Sequence, residues 1–535
     1  MKDGRVVIGV LLALPAACVP RGDPPAGRQI LADRQAGLIG LLPPTGDGVL
    51  RAFVARTTGQ GPEGPVGDLF ELSLDSTGDP ATEKLLAPDI QLAESLGCTF
   101  NVAPCNGIDP RGVTVFPGAG PLERVDALTG AVQTFSGYPT FSQSKQRFFF
   151  GDQQGVALTD VSGQTTVLSD ASTATARFVG DDFFYVTPQG DLMDVPLSDV
   201  PTQMATGLVD CRNAQYQNQP CTSFWGQATP DGIALVLHKQ TPNPNDQGWS
   251  VRDPVTGLET WLPFDASYAQ LSPDGRWLLE EQASADDPLT FFDYRDGVQQ
   301  DFDVPYQEFS IPVWRPGTAE LWMSVGLGSD TAAIWIVEPG KPAISISGSG
   351  LQWAGALDAS ERITPFTPDG VYWFSSANTP DTSMPVTQIG LADDPSGPRF
   401  DLDTPNTYLE PVRDFANGRV LDAVYTKPDD AETREDVSVF DPRTGASWLV
   451  GERGRIAAVG QTRVMGMFHW DEMRGDLTVA DPATAQAIVL APEFTVTAFA
   501  EPQGADQLAP GTRIVYQFQA RTDSPYDGIW VANCP

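Results

Sequence analysis

The sequence predicts an all-β fold, a β-propeller whose four-stranded blades recur at about 35–55 residues. Three observations predict it. A turn-then-strand unit recurs along the chain, a second hairpin turn alternates with it, and few segments carry a sustained 3.6-residue apolar period. Gly (52) and Pro (47) are both frequent without a collagen period, as many short strands joined by turns require.

The chain opens with Lys2 and Arg5, then an apolar run from Val6 to Ala17 that is too short to span a bilayer. Such a run suits a signal-peptide core. It ends Leu14-Pro15-Ala16-Ala17-Cys18, which resembles the lipobox of bacterial lipoproteins, with Pro15 standing where Leu is usual. The resemblance implies a signal peptide over 1–17, lipidation at Cys18, and a Pro- and Gly-rich tether over 18–36. An outer-membrane lipoprotein, periplasmic or cell-surface, is the expected address. No later stretch is long and apolar enough to cross a membrane as a helix, so membrane contact is expected only through that lipid.

Cys98 and Cys105 bracket one short segment, and Cys211 and Cys221 bracket another. Local pairs of this kind read as loop-stapling disulfides in an oxidising compartment, each contributing about 2–3 kcal/mol by loop closure. Metal binding is the rival reading, but no histidine sits near either pair. Cys534 is left over when Cys18 carries lipid.

The first repeated unit appears as TPDGIALVL from Thr229, SPDGRWLLE from Ser272 and TPDGVYWFS from Thr367. Looser copies begin near Pro44, Phe415 and Ala509. Proline sets one turn dihedral, while Asp231-Gly232, Asp274-Gly275 and Asp369-Gly370 supply the positive φ of a tight turn. The β-branched and aromatic run that follows is a buried strand. The second unit is Asp-x-x-Thr-Gly, at Asp126–Gly130, Asp253–Gly257 and Asp441–Gly445, with degenerate copies from Asp160, Asp394 and Asp481. A short helix is expected around Asp89 to Ser95.

One blade cannot bury both of its faces, so blades must stack around an axis. Single rings usually hold about four to eight blades, so the chain forms either two packed rings or one large ring. The two-ring division falls near Ala266, giving blade sets over 37–265 and 266–535. The final strands RIVYQFQ and GIWVANC are expected to be completed by N-terminal strands near Leu38 to Leu42.

These turns resemble the WD-like repeats of TolB-type periplasmic propellers, over most of Pro44 to Ala532. The resemblance implies a propeller fold and an envelope setting. TolB-type proteins also carry an N-terminal α/β domain, which has no counterpart here.

A net charge of -36, from 69 acidic and 33 basic residues, repels phosphate backbones and disfavours nucleic acid as a partner. No Gly-x-Ser-x-Gly elbow, P-loop, dinucleotide or zinc-finger pattern occurs. The chain has two histidines. His238 ends a strand, and His469 lies in FHWDEM beside Asp471 and Glu472. The segment Asn243–Gly248 has oxygen ligands at alternate positions but lacks the downstream Glu of a calcium loop, so it reads as a polar hairpin with Ca²⁺ as the alternative. Otherwise no cofactor is expected. The tryptophans, among them Trp225, Trp261, Trp277, Trp314, Trp322, Trp335, Trp373 and Trp448, read as blade-to-blade packing.

The function expected from the sequence is a non-catalytic, exported binding scaffold for a protein or glycan. The alternative is a lactonase- or lyase-like propeller enzyme, with a metal held by carboxylates converging in a central channel.

Overall fold

The computed structural model describes residues 25–42, 49–61, 64–74, 82–91, 108–109, 111–115, 122–135, 140–144, 146–152, 155–160, 162, 164–169, 176–197, 200–209, 223–240, 247–267, 269–280, 288–304, 312–325, 333–347, 352–353, 356–357, 363–366, 370–378, 385–397, 399–401, 413–415, 419–425, 435–441, 446–459, 463–471, 474–481, 486–495, 499–500, 508–519 and 524–534. Every regular element among them is a strand, and the sheets are antiparallel meanders, mostly four-stranded. The fold is an all-β propeller.

The chain divides into two compact units, residues 1–132 with 354–535, and residues 133–353. The second unit contains sheets spanning 140–169, 176–205, 224–261, 270–302 and 312–347, each running in sequence order from first strand to fourth. The division is therefore not near Ala266, where the repeat suggested it. Ala266 is wholly buried, packs between the 224–261 and 270–302 sheets, and accepts a 3.0 Å hydrogen bond from Trp225 Nε1. It joins two blades; it does not separate two domains.

The strand Gly232–Gln240 shows why its sequence is an unbroken apolar run. Leu235 and Leu237 pack with Phe184, Val186 and Leu192 of the preceding sheet. Ala234 and Val236, pointing the other way, pack with Leu271, Leu278 and Phe292 of the next. A strand buried on both faces has no solvent side on which to place polar residues. The first strand Ala176–Val179 touches both Thr140–Phe141 and Phe224–Thr229, the first strands of its neighbours. First strands are thus innermost and fourth strands outermost.

In the other unit, Phe499–Ala500, Arg513–Phe518 and Gly528–Asn533 form three strands of a sheet whose fourth, outer strand is Arg28–Leu31. The N-terminus does complete the last blade, but with Arg28–Leu31 from the segment read as tether, not with Leu38 to Leu42. Ala36–Leu41 is instead the first strand of the following sheet, paired with Leu50–Gly61. Two glycines permit the close seam. A Cβ on Gly27 would lie 2.1 Å from the Val531 carbonyl oxygen, and one on Gly528 1.9 Å from that of Leu31. Tyr516 Oη donates to the Ala26 carbonyl at 2.5 Å, and Gln29 Nε2 donates to that of Asp527 at 2.9 Å.

The helix expected from Asp89 is not formed at its start. Thr82–Gln91 is one strand, and Asp89 takes φ 52 while its N–H donates to Asp68 Oδ1 at 3.1 Å. That side chain supports the bend that keeps the strand on its partner.

Candidate functional site

Each blade presents two kinds of end. The connection from first to second strand and that from third to fourth leave from one end, here the turn end. The second-to-third connection and the link to the next blade leave from the other, the loop end. Both repeated sequence units therefore mark the same end of a blade.

At the turn end the expected glycines take the expected conformations. Gly232, Gly275, Gly370, Gly130 and Gly257 have φ of 126, 74, 67, 74 and 69°. Asp253 Oδ1 accepts from the Val255 N–H, the Thr256 N–H and Thr256 Oγ1 at 3.0, 2.7 and 3.0 Å. Asp126 Oδ1 caps its turn in the same way, through the Thr129 N–H and Oγ1 at 2.7 and 2.9 Å. Asp274 Oδ1 accepts from Ser272 Oγ and from the Arg276 N–H. Asp441 ends the strand Glu435–Asp441. Asp369, Gly445, Cys18, Cys98, Cys105, Cys211, Cys221 and residues 243–246 lie outside the described residues.

What sequence reading missed is the use of the second carboxylate oxygen. Asp253 Oδ2 accepts from Arg295 Nε at 2.7 Å, across the boundary to the next blade. Arg295 Nη2 reaches back to Asp231 Oδ2 at 2.8 Å, so one guanidinium clamps both turns of the preceding blade. Burial alone would raise the Asp253 carboxyl, but the Thr256 hydrogen bonds and the Arg295 charge outweigh it and hold the pKa low. Arg276 joins Asp293 and Asp296 within its own blade, at 2.6 and 2.7 Å. In the other unit Arg111 pairs with Asp126 at 2.9 Å. Asp293-Tyr-Arg-Asp-Gly297 is itself a turn of the second kind. Its Gly297 N–H donates to the Asp293 carbonyl at 2.8 Å, as Gly257 does to Asp253 at 2.9 Å. The Asp-to-Gly spacing could have revealed it, but Asp296 stands where the pattern has Thr.

Arg147 makes an equivalent clamp lower in the sequence. Its Nη1 donates to the Val195 and Pro196 carbonyls at 2.9 and 2.8 Å, and its Nη2 donates to that of Asp181. Beside it lies the most perturbed carboxyl among the described residues. Burial, and then the neighbouring charge of Asp182, push Asp194 up to about 6 against the opposing pull of Arg147. Asp194 Oδ1 is buried without a hydrogen-bond partner.

His469 sits on the loop-end hairpin between Val464–Asp471 and Arg474–Asp481, at φ 55. The register slips between Phe468 and Asp471, and the bulge turns His469 so that Nδ1 stands 3.2 Å from Asp476 Oδ2. His238 stacks on Trp249 with centroids 4.6 Å apart and planes at 6°. The two histidines belong to different units. Trp322 and Trp373 are wholly buried, as blade packing requires, whereas Trp261 on an outermost strand is 46% exposed. Among the described residues, no group of His, Cys, Asp and Glu stands together in a way that could hold a metal. Cys534 is buried, with Sγ 3.1 Å from the Leu508 carbonyl.

No protein-family profile matches the chain, and no curated protein does. Among solved structures it is similar to a eukaryotic initiation factor, at 10% identity and TM-score 0.37, over 72% of this chain and 96% of that one. TolB from Acinetobacter baumannii matches at 13% identity and TM-score 0.22, over 54% and 77%. An oligogalacturonate lyase in complex with manganese matches at 12% and 0.26, over 59% and 99%. Likenesses at these scores say nothing about activity. The fold rests on the sheets themselves.

Proposed function

We propose that the chain is an exported, lipid-anchored β-propeller that binds a protein or glycan partner in the bacterial envelope through the loop end of its blades. One observation carries the reading. Within residues 133–353 the turn end is occupied by short connections whose arginines are held in place there, Arg295 and Arg276 by aspartates and Arg147 by backbone carbonyl oxygens. The loop end of the same blades carries the long connections 206–223, 280–288, 303–311 and 326–332. Recognition concentrates in connections that a rigid scaffold positions without depending on them for stability. The lipobox-like Cys18 and the two expected disulfides support an address outside the cytoplasm.

Two experiments test this. Cys18→Ala should move the protein from the membrane fraction to the soluble one, and unchanged membrane association removes the anchor from the reading. Replacing 281–287 with a short Gly-Ser turn should abolish cross-linking to the envelope partner while leaving Tm unchanged. If every loop-end connection can be shortened without losing that cross-link, the loop end is not the binding surface.

A further inference from the structure

The structure assigns to Arg177 the role of anchoring an oxyanion, the carboxylate or phosphate group of a small ligand, on the innermost strands of residues 133–353. Arg177 lies on Ala176–Val179, the first strand that touches the first strands of both neighbouring sheets. Its guanidinium carbon stands 5.2 Å from the centroid of the Phe224 ring, the opening residue of the next first strand. That stack fixes the plane of the guanidinium but satisfies none of its five N–H donors. Among the described residues the Arg177 guanidinium takes part in no ion pair and no hydrogen bond, although the chain holds 69 acidic residues against 33 basic ones.

The lack of a carboxylate partner is built into the neighbourhood. The three converging first strands, Thr140–Phe141, Ala176–Val179 and Phe224–Thr229, contain no Asp or Glu. The closest candidates in register are Asp182 and Asp194, on the same face of the sheet. Arg177 pairs with Phe184, and Phe184 with Asp194, so a wholly buried phenylalanine lies between the two charges. The field of Arg147, not that of Arg177, acts on both carboxyls. Burial lowers the pKa of Arg177, and no acidic neighbour opposes that shift.

A half-buried guanidinium without a counter-ion is costly in a folded protein. The other turn-end arginines of this unit offset that cost with aspartates or carbonyl oxygens. For Arg177 an exogenous oxyanion does the same, accepting two parallel N–H bonds from the planar fork while the Phe224 ring covers its other face. In a chain of net charge -36, first strands free of Asp and Glu are what permit an anion to approach.

The test is titration of the full mature chain with inorganic phosphate and, separately, with citrate, read by calorimetry and by Tm. At least one of the two should bind with one-to-one stoichiometry and raise Tm. Arg177→Gln should weaken that binding about tenfold or more. Arg177→Lys, which keeps the charge but not the fork, should fall between the two. Arg399→Gln, which removes an arginine stacked on Trp373 in the other unit, should bind as the wild type does. Preference for phosphate or for citrate identifies which oxyanion the site takes. Equal binding by the wild type and Arg177→Gln overturns the proposal, as does absence of binding of both anions to the wild type at about 10 mM.

Discussion

Arg295 and Asp253 belong to different blades, yet Arg295 Nε donates to Asp253 Oδ2 at 2.7 Å while Asp253 Oδ1 holds its own turn closed. One carboxylate therefore does two jobs, one local and one between blades. The two are separable by mutation. Arg295→Ala removes only the link between blades and should cost about 1 kcal/mol, because its side chain is 32% exposed. Asp253→Ala also strips the turn of its cap and should cost about 2–3 kcal/mol. Asp253→Asn, which keeps an acceptor oxygen, should fall between them. Urea denaturation of the three variants and the double mutant checks the order. Equal costs for Arg295→Ala and Asp253→Ala would refute the division of labour.

The Asp194 carboxyl should make stability pH-dependent in the reverse of the usual direction for an acid. Its folded pKa, about 6, lies above the ordinary 3.8, so the folded state holds a proton that the unfolded chain has released between those values. Its favourable contribution is complete below the lower value and is lost as pH rises through the upper one. Asp194→Asn should therefore stabilise the protein by about 1–2 kcal/mol at pH 8, solvent screening of this partly exposed group reducing the full effect, and by little at pH 4. Denaturation midpoints at the two pH values provide the check.

Two glycines with nearly equal φ should respond differently to alanine. Gly275 and Gly317 have φ of 74 and 71°. Both substitutions incur the left-handed penalty of about 1 kcal/mol. At Gly275 the new Cβ would also fall 2.6 Å from Thr229 Cβ, whereas at Gly317 nothing lies within 4 Å. Gly275→Ala should lower Tm clearly more than Gly317→Ala, and Thr229→Gly should recover part of the difference. Equal Tm losses would show that backbone strain alone sets the cost.

The seam at the last blade predicts a sharp boundary for truncation from the N-terminus. Removing residues 1–24 should leave Tm unchanged, since pairing begins at Arg28. Removing residues 1–34 deletes the outer strand and the Asp33 partner of Arg56, and should lower Tm by several degrees. Thermal scans of both truncations, read by circular dichroism, test it.

Much of this molecule is dictated by short-range chemistry and was legible in its residues. Asp231-Gly232 and Asp253–Gly257 announce turns because a glycine without Cβ and a self-capping carboxylate favour them whatever surrounds them. The run IALVL announces a doubly buried strand because only neighbours on both faces tolerate it. From such pieces the sequence determined an all-β propeller, its repeat, and completion of its last blade from the N-terminus.

Tertiary structure alone decided the rest, because it depends on which residues meet across long separations. The closing strand is Arg28–Leu31 since that segment meets Gly528–Asn533 backbone to backbone, a matter of register and not of composition. The chain divides outside Ala266 because that alanine packs between two blades. The second oxygen of Asp253 finds Arg295, while the Arg177 guanidinium, among the described residues, finds only the Phe224 ring. In sequence those two arginines look alike. The fold gives one a pair of carboxylates and leaves the other with its donors unspent.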